Sequence, residues 1–250
     1  MKDYFIVSLC CPIPRKGFGK SERRCEDEIA QMEGYLRICK GDIAVFPEGY
    51  LPSYRAEEVS ALAKKYRCYI IAGSEDQGEH KSLYTLVFSP DEGLIYSHRK
   101  TALTDGDRSN GALPGEEISA LDTPFGKIGT VLCYELHFPE VARIQCIEGA
   151  RILFNTIGTG MWHEQQFDEW TSIAKARAIE NRCFVVGCTH CCDPIPLVFA
   201  YDPHGRTLLL KKNEEGIFDV AIDMSKIDER DYFKDRNPKA YTKICEEGNL

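Results

Sequence analysis

Three side chains able to do chemistry stand at the ends of apolar runs: a carboxylate, an ammonium and a thiol. Glu48 follows Ile43-Ala44-Val45-Phe46 in the string Phe-Pro-Glu-Gly. Lys100 closes Tyr-Ser-His-Arg-Lys, and Cys133 follows Thr130-Val131-Leu132. Sites assemble at strand ends in layered α/β folds, so the three are expected to meet in one pocket. Cys133 is the candidate nucleophile. It lies between a strand-like run and a turn into a helix, because Pro139 suits a first helical position and not a central strand. A helix N-terminus favours thiolate over thiol and offers free N–H groups to an oxyanion. A buried thiolate also needs a cation, and Lys100 is expected to lower its pKa. Each residue has an ordinary reading as well. Cys133 reads as one more core cysteine, Glu48 as a solvated turn residue, and Lys100 as a surface cation beside His98 and Arg99. The residues alone leave both readings open.

The elements that must position them follow from apolar runs and their breakers. Strands are predicted over residues 3–10, 43–46 and 68–72, the second stopped by Pro47-Glu48-Gly49 and the third by Gly73-Ser74. Helices are predicted from Ser21, as a cap, to about Cys39, and over 55–66. This β-α-β-α-β order argues for an α/β layered fold with parallel pairing. Hairpins are predicted for 83–88 with 94–100 and for 118–122 with 127–133, so antiparallel pairs are mixed in. Residues 104–115 read as a polar, Gly-rich loop beside the suspected site. Alternation then resumes: helix 139–148, strand 151–156, helix 164–181, strand 183–188. Phe167, Trp170, Ala174 and Ala178 form one stripe on the long helix. A hairpin (197–201 with 207–210), a strand (217–222), a short helix from about Met224 and a polar tail complete the chain.

The 250 residues, 43% of them hydrophobic, can build a sizeable core, and 1–250 reads as a single domain. No apolar run is long enough for a bilayer, and Met1-Lys2-Asp3-Tyr4 leads into a strand rather than a signal peptide. A cytoplasmic protein is expected. The net charge of −8 favours neither nucleic acid nor a membrane surface. Twelve cysteines scattered through apolar segments suit a reducing compartment. Cys188, His190, Cys191 and Cys192 form the one local group with ligand chemistry; a structural cluster is expected there, against zinc as the competing reading.

Five segments resemble the nitrilase superfamily of carbon–nitrogen hydrolases: Phe46-Pro47-Glu48, 96–103 (YSHRKTAL), 122–140 (DTPFGKIGTVLCYELHFPE), 177–183 (RAIENRC) and 235–241 (DRNPKAY). They run in family order along nearly the whole chain, and the third is long and specific. The resemblance implies a four-layer αββα sandwich of two mixed β-sheets and assembly as a homodimer or higher homo-oligomer. It implies a Glu–Lys–Cys triad. Glu48 is then the general base and Cys133 the nucleophile that forms a thioester, while Lys100 and the Tyr134 backbone N–H stabilise the oxyanion. Neither metal nor organic cofactor is implied. Tyr134, Asp107, His137, Trp162 and His163 are expected around the substrate; His98 is expected at the pocket edge or in a structural role.

The chain departs from the family pattern around the pocket. The family's second glutamate belongs near Arg108, where Asp107, Asp105 or Glu116 are the available substitutes. Ala102 stands where histidine is usual, Glu135 where aspartate is, and His137 where arginine is. The leading expectation is an amidase that releases ammonia from a small aliphatic amide or ω-amide. An N-carbamoyl-amine hydrolase and a degenerate, non-catalytic small-molecule binding protein are the alternatives, with a metal- or redox-responsive protein using Cys188, Cys191 and Cys192 as a third. The intact trio of Glu48, Lys100 and Cys133 favours catalysis.

Overall fold

The computed structural model describes residues 2–18, 22–76, 81–192, 194–227 and 232–245. The strands are β1 (Tyr4–Cys11), β2 (Ile43–Pro52), β3 (Tyr69–Asp76), β4 (Ser82–Ser89), β5 (Gly93–Arg99) and β6 (Leu121–Thr123). They continue with β7 (Gly126–Leu132), β8 (Ile152–Thr156), β9 (Phe184–Cys188), β10 (Leu197–Tyr201), β11 (Thr207–Lys212) and β12 (Gly216–Asp223). The α-helices are α1 (Glu28–Ile38), α2 (Ala56–Tyr66), α3 (Asp105–Ser109), α4 (Pro139–Ile147) and α5 (Glu164–Asn181).

Two six-stranded sheets result, in the orders β12-β1-β2-β3-β4-β5 and β11-β10-β9-β8-β7-β6. Each has three parallel strands at its centre (β1, β2 and β3; β7, β8 and β9) and antiparallel strands outside them. The sheets pack face to face through Val7, Val45, Ile71 and Val87 on one side and Ile128, Phe154, Val186 and Val198 on the other. Side chains alternate along a strand. Ala44 and Phe46 therefore point away from Val45, onto Met32 and Leu36 of α1 and Val59 and Ala63 of α2. Leu153, next to Phe154, likewise meets Val141 and Ala142 of α4 and Trp170 and Ala174 of α5. Helix, sheet, sheet and helix make the four-layer mixed α/β sandwich that the resemblance implied. Among the described residues no helix is long and apolar enough to cross a membrane.

Three local readings change. The first helix begins at Glu28, where the Asp27 side chain accepts from the N–H groups of Ile29 and Ala30; Ser21 lies outside the described residues. The second strand does not stop at Pro47 but runs to Pro52. Its pairing with β3 breaks between Phe46 and Leu51, so the missing N–H of Pro47 falls where no ladder bond is made. The 104–115 segment is not all loop. Thr104 and Asp107 form a reciprocal capping box that starts α3.

Candidate active site

Glu48 projects from the break in β2. The Pro47–Glu48 backbone leans so closely on β3 that a Cβ on Gly73 would meet the Glu48 Cα at 2.2 Å. Only glycine admits that approach. Lys100 follows β5 directly, and its backbone N–H donates to Leu83 O at 2.8 Å. The residue is 1% exposed. Nζ donates to Glu48 Oε1 at 2.8 Å and to Asp107 Oδ2 at 2.9 Å. Asp107 is presented by α3; Asp105 and Glu116, the other two candidates for the second carboxylate, are exposed. Burial disfavours the charge on Lys100, but Glu48, Cys133 and Asp107 outweigh it and hold the ammonium above the usual lysine range. Burial likewise works against the Asp107 carboxylate, and Lys100 more than compensates, keeping it below the usual range.

Cys133 opens a 3-10 turn, Cys133–His137, and its backbone is left-handed at φ 49°. That conformation costs a non-glycine residue about 1–3 kcal/mol and persists where surrounding bonds determine it. Those bonds are present. Asn155 Nδ2 donates to Val131 O at 2.7 Å and to Cys133 O at 3.3 Å. Arg177 on α5 donates from Nε to Leu136 O at 3.1 Å and from Nη2 to His137 O at 3.2 Å. Glu135, wholly buried, accepts the N–H of Leu132 at 2.7 Å and the N–H of Thr101 at 2.6 Å. It thereby ties the residue before Cys133 to the residue after Lys100. His98 Nε2 lies 2.8 Å from the same carboxylate. Burial alone would raise Glu135; His98 and the N–H donors hold it below the usual range.

The thiol does not sit at the start of α4, as the sequence suggested, because the 3-10 turn intervenes. Nor is it a resting thiolate. Burial first, and Glu48 second, raise its pKa; Lys100 opposes them without prevailing. Glu48 and the Gly158 backbone both lie close enough to act on the sulfur, the first raising and the second lowering its pKa. A Cβ at Gly158 would come 2.7 Å from Glu48 Oε2, so this loop residue must be small.

These groups line one cavity of about 400 Å³, within the range of small-molecule sites. Glu48, Glu75, Lys100, Asp107 and Cys133 share it with Phe18, Leu83, Ile157, Met161, Trp162 and Trp170. Tyr134, Asp107 and Trp162 are on the wall as expected, with Trp162 half-exposed at 53%. His137 and His163 are not. His137 is turned under Tyr134 and packs its ring edge on Trp170, 4.8 Å between centroids. His163 precedes α5 and caps it, its Nδ1 accepting from the Gln166 N–H at 3.1 Å. Sequence reasoning missed Glu75, Phe18 and Gly158. Glu75 is the penultimate residue of β3, but Gly73-Ser74 read as that strand's close. The cysteine-rich segment serves as scaffold. His190 Nε2 donates to Glu48 O at 3.0 Å, and the Cys188 thiol to Val45 O at 3.7 Å. Among the described residues no group of three His, Cys, Asp or Glu is gathered as a metal site.

A model of the carbon–nitrogen hydrolase family matches residues 29–232. The chain is 31% identical over 200 residues to omega-amidase NIT2 of Mus musculus, a match covering 72% of this chain and 70% of that one. It is 30% identical over 195 residues to omega-amidase NIT3 of Saccharomyces cerevisiae, covering 69% of this chain and 65%, just under two thirds, of the yeast protein. A carbon–nitrogen hydrolase from Helicobacter pylori G27 shares the fold, with a TM-score of 0.83 at 20% identity over 98% of this chain and 99% of that one.

Proposed function

The chain belongs to the carbon–nitrogen hydrolase family, and we propose that it is an amidase that hydrolyses a small amide through a thioester on Cys133. The observation that carries this reading is the ammonium of Lys100, buried between Glu48 and Asp107 in the cavity that the Cys133 thiol also lines. A fixed cation beside a nucleophile and a base is the apparatus of acyl transfer.

The reaction runs in two halves. Glu48 takes the thiol proton as the sulfur attacks the amide carbon, so no standing thiolate is needed and the raised thiol pKa is no obstacle. The oxyanion forms against Lys100 Nζ and the Tyr134 N–H. Glu48 passes its proton to the leaving nitrogen, the C–N bond breaks, and ammonia departs. Water then gives a proton to Glu48 and attacks the thioester. Collapse of that second intermediate returns the proton to sulfur and releases the acid. Asp107 stays ionised throughout and keeps Lys100 charged and oriented.

Ammonia release from simple amides, with intact-protein mass spectrometry of quenched turnover, tests this. An acyl adduct mapping to Cys133 is expected. Cys133→Ala should abolish release with the fold intact, and retained turnover would reject the mechanism. Lys100→Met should lower kcat about 10²–10³-fold with a smaller change in KM, as for loss of an oxyanion donor.

A further inference from the structure

Glu75 sits in the cavity wall, but the reaction does not use it. It is 7% exposed, stands next to last in β3 and shares the cavity wall with Glu48. Behind it lies Arg15, also 7% exposed, with Nη2 donating to Glu75 Oε2 at 2.7 Å. The rest of that guanidinium is occupied too. Nε donates to Gly49 O at 3.0 Å and Nη1 to Lys16 O at 3.2 Å. Lys81 Nζ stands 3.3 Å from the other oxygen, Oε1. Across the cavity, Lys100 is bound between Glu48 and Asp107.

Among the described residues, the carboxylates Glu48, Glu75 and Asp107 are matched by Lys100, Arg15 and Lys81, each cation already paired. The rest of the wall carries no charge: the apolar Phe18, Leu83, Ile157, Met161, Trp162 and Trp170 share it with the neutral polar Thr104, Tyr134, Thr159 and Gln166. An ω-amide of a dicarboxylic acid keeps a carboxylate at its far end. Burying that charge demands a cation with free donors, and an unpaired charge in such a site is strongly disfavoured. An ammonium at the same place would find carboxylates that already have partners.

We propose that this site selects an uncharged aliphatic amide, and that Glu75, by occupying Arg15, is the residue that excludes anionic amides. The inference rests on the amidase reading above and narrows its substrate class. It sets this chain apart in specificity from what the names of its omega-amidase relatives describe.

Ammonia release should be compared for three amides of matched reach: valeramide, 4-aminobutyramide and glutaramate. For the wild-type protein, kcat/KM for valeramide should exceed that for either charged analogue by roughly tenfold or more. Glutaramate or 4-aminobutyramide matching valeramide overturns the inference and leaves the amidase reading standing. Turnover of none of the three, nor of other amides, rejects both. In Glu75→Gln the shape is kept but Arg15 loses its counter-charge. The glutaramate-to-valeramide ratio should then rise roughly tenfold; an unchanged ratio removes Glu75 from the selection. If that variant does not fold, the wild-type series still decides between charged and uncharged substrates.

Discussion

In the proposed reaction Lys100 is the residue on which the chemistry turns, because a buried ammonium is only as useful as the carboxylates that keep it charged. Two hold it, and in the proposed reaction they differ in duty: Glu48 would exchange protons, whereas Asp107 is fixed by its cap on α3. Asp107→Asn should therefore leave the nucleophile intact yet lower kcat by about tenfold or more. It also removes one of the charges that raise the Lys100 pKa. Steady-state kinetics of the variant check the fall in kcat, and an unchanged kcat would separate Asp107 from Lys100. Glu135 acts one step further out. It bonds neither reacting group but fixes the main chain beside both, through Thr101 and Leu132.

At the scale of elements, strand ends do the positioning, and most of them were legible in the sequence. Glu48, Lys100 and Cys133, which line one cavity, were picked out because each ends an apolar run in the sequence, and the family resemblance decided between their two readings. α5 was read with its observed bounds because its buried stripe repeats at helical spacing. What stayed hidden depends on contacts distant in sequence. Pro47 read as a terminator, since nothing local says that its missing N–H falls in a gap between strands. His163 read as a pocket residue, although its ring is spent capping a helix. The segment after β9 looked like ligand chemistry, but its histidine is a strut. His190 is fully buried against Phe18 and holds the Glu48 carbonyl. Burial pushes its imidazole down to about 3, so the folded protein keeps it neutral while the unfolded chain protonates it near pH 6.5. The unfolded state then binds more protons, and stability falls as pH drops from about 6.5 towards 3. The loss should be on the order of 3 kcal/mol by about pH 4. In His190→Gln that share of the acid slope should vanish from urea titrations, and an unaltered slope would mean that other groups carry it.

For the whole molecule, the division of labour between the sheets matters most. Glu48, Lys100 and Glu75 belong to one sheet; Cys133 and Gly158 follow strands of the other. The seam is held by the apolar layer between the sheets and by polar bonds that cross it, such as Thr85 to Thr156 at 2.9 Å and His190 to Glu48 O. Truncating the large seam residue Phe154 to alanine should cost about 3–5 kcal/mol, measured by urea midpoint. A comparable truncation on the exposed surface, Tyr54→Ala, should cost less than about 1 kcal/mol. The split also has a consequence for how the chain acquires activity. In the proposed reaction one sheet carries the proton carrier and the cation, the other the sulfur, so neither half would be a partial enzyme. During refolding from urea, circular dichroism will report strands and helices as each half forms, whereas hydrolysis must wait until the halves meet. Long-range contacts of this kind form late. The return of activity is thus a clock for one event, the closing of the sandwich, and it should lag the spectroscopic signal.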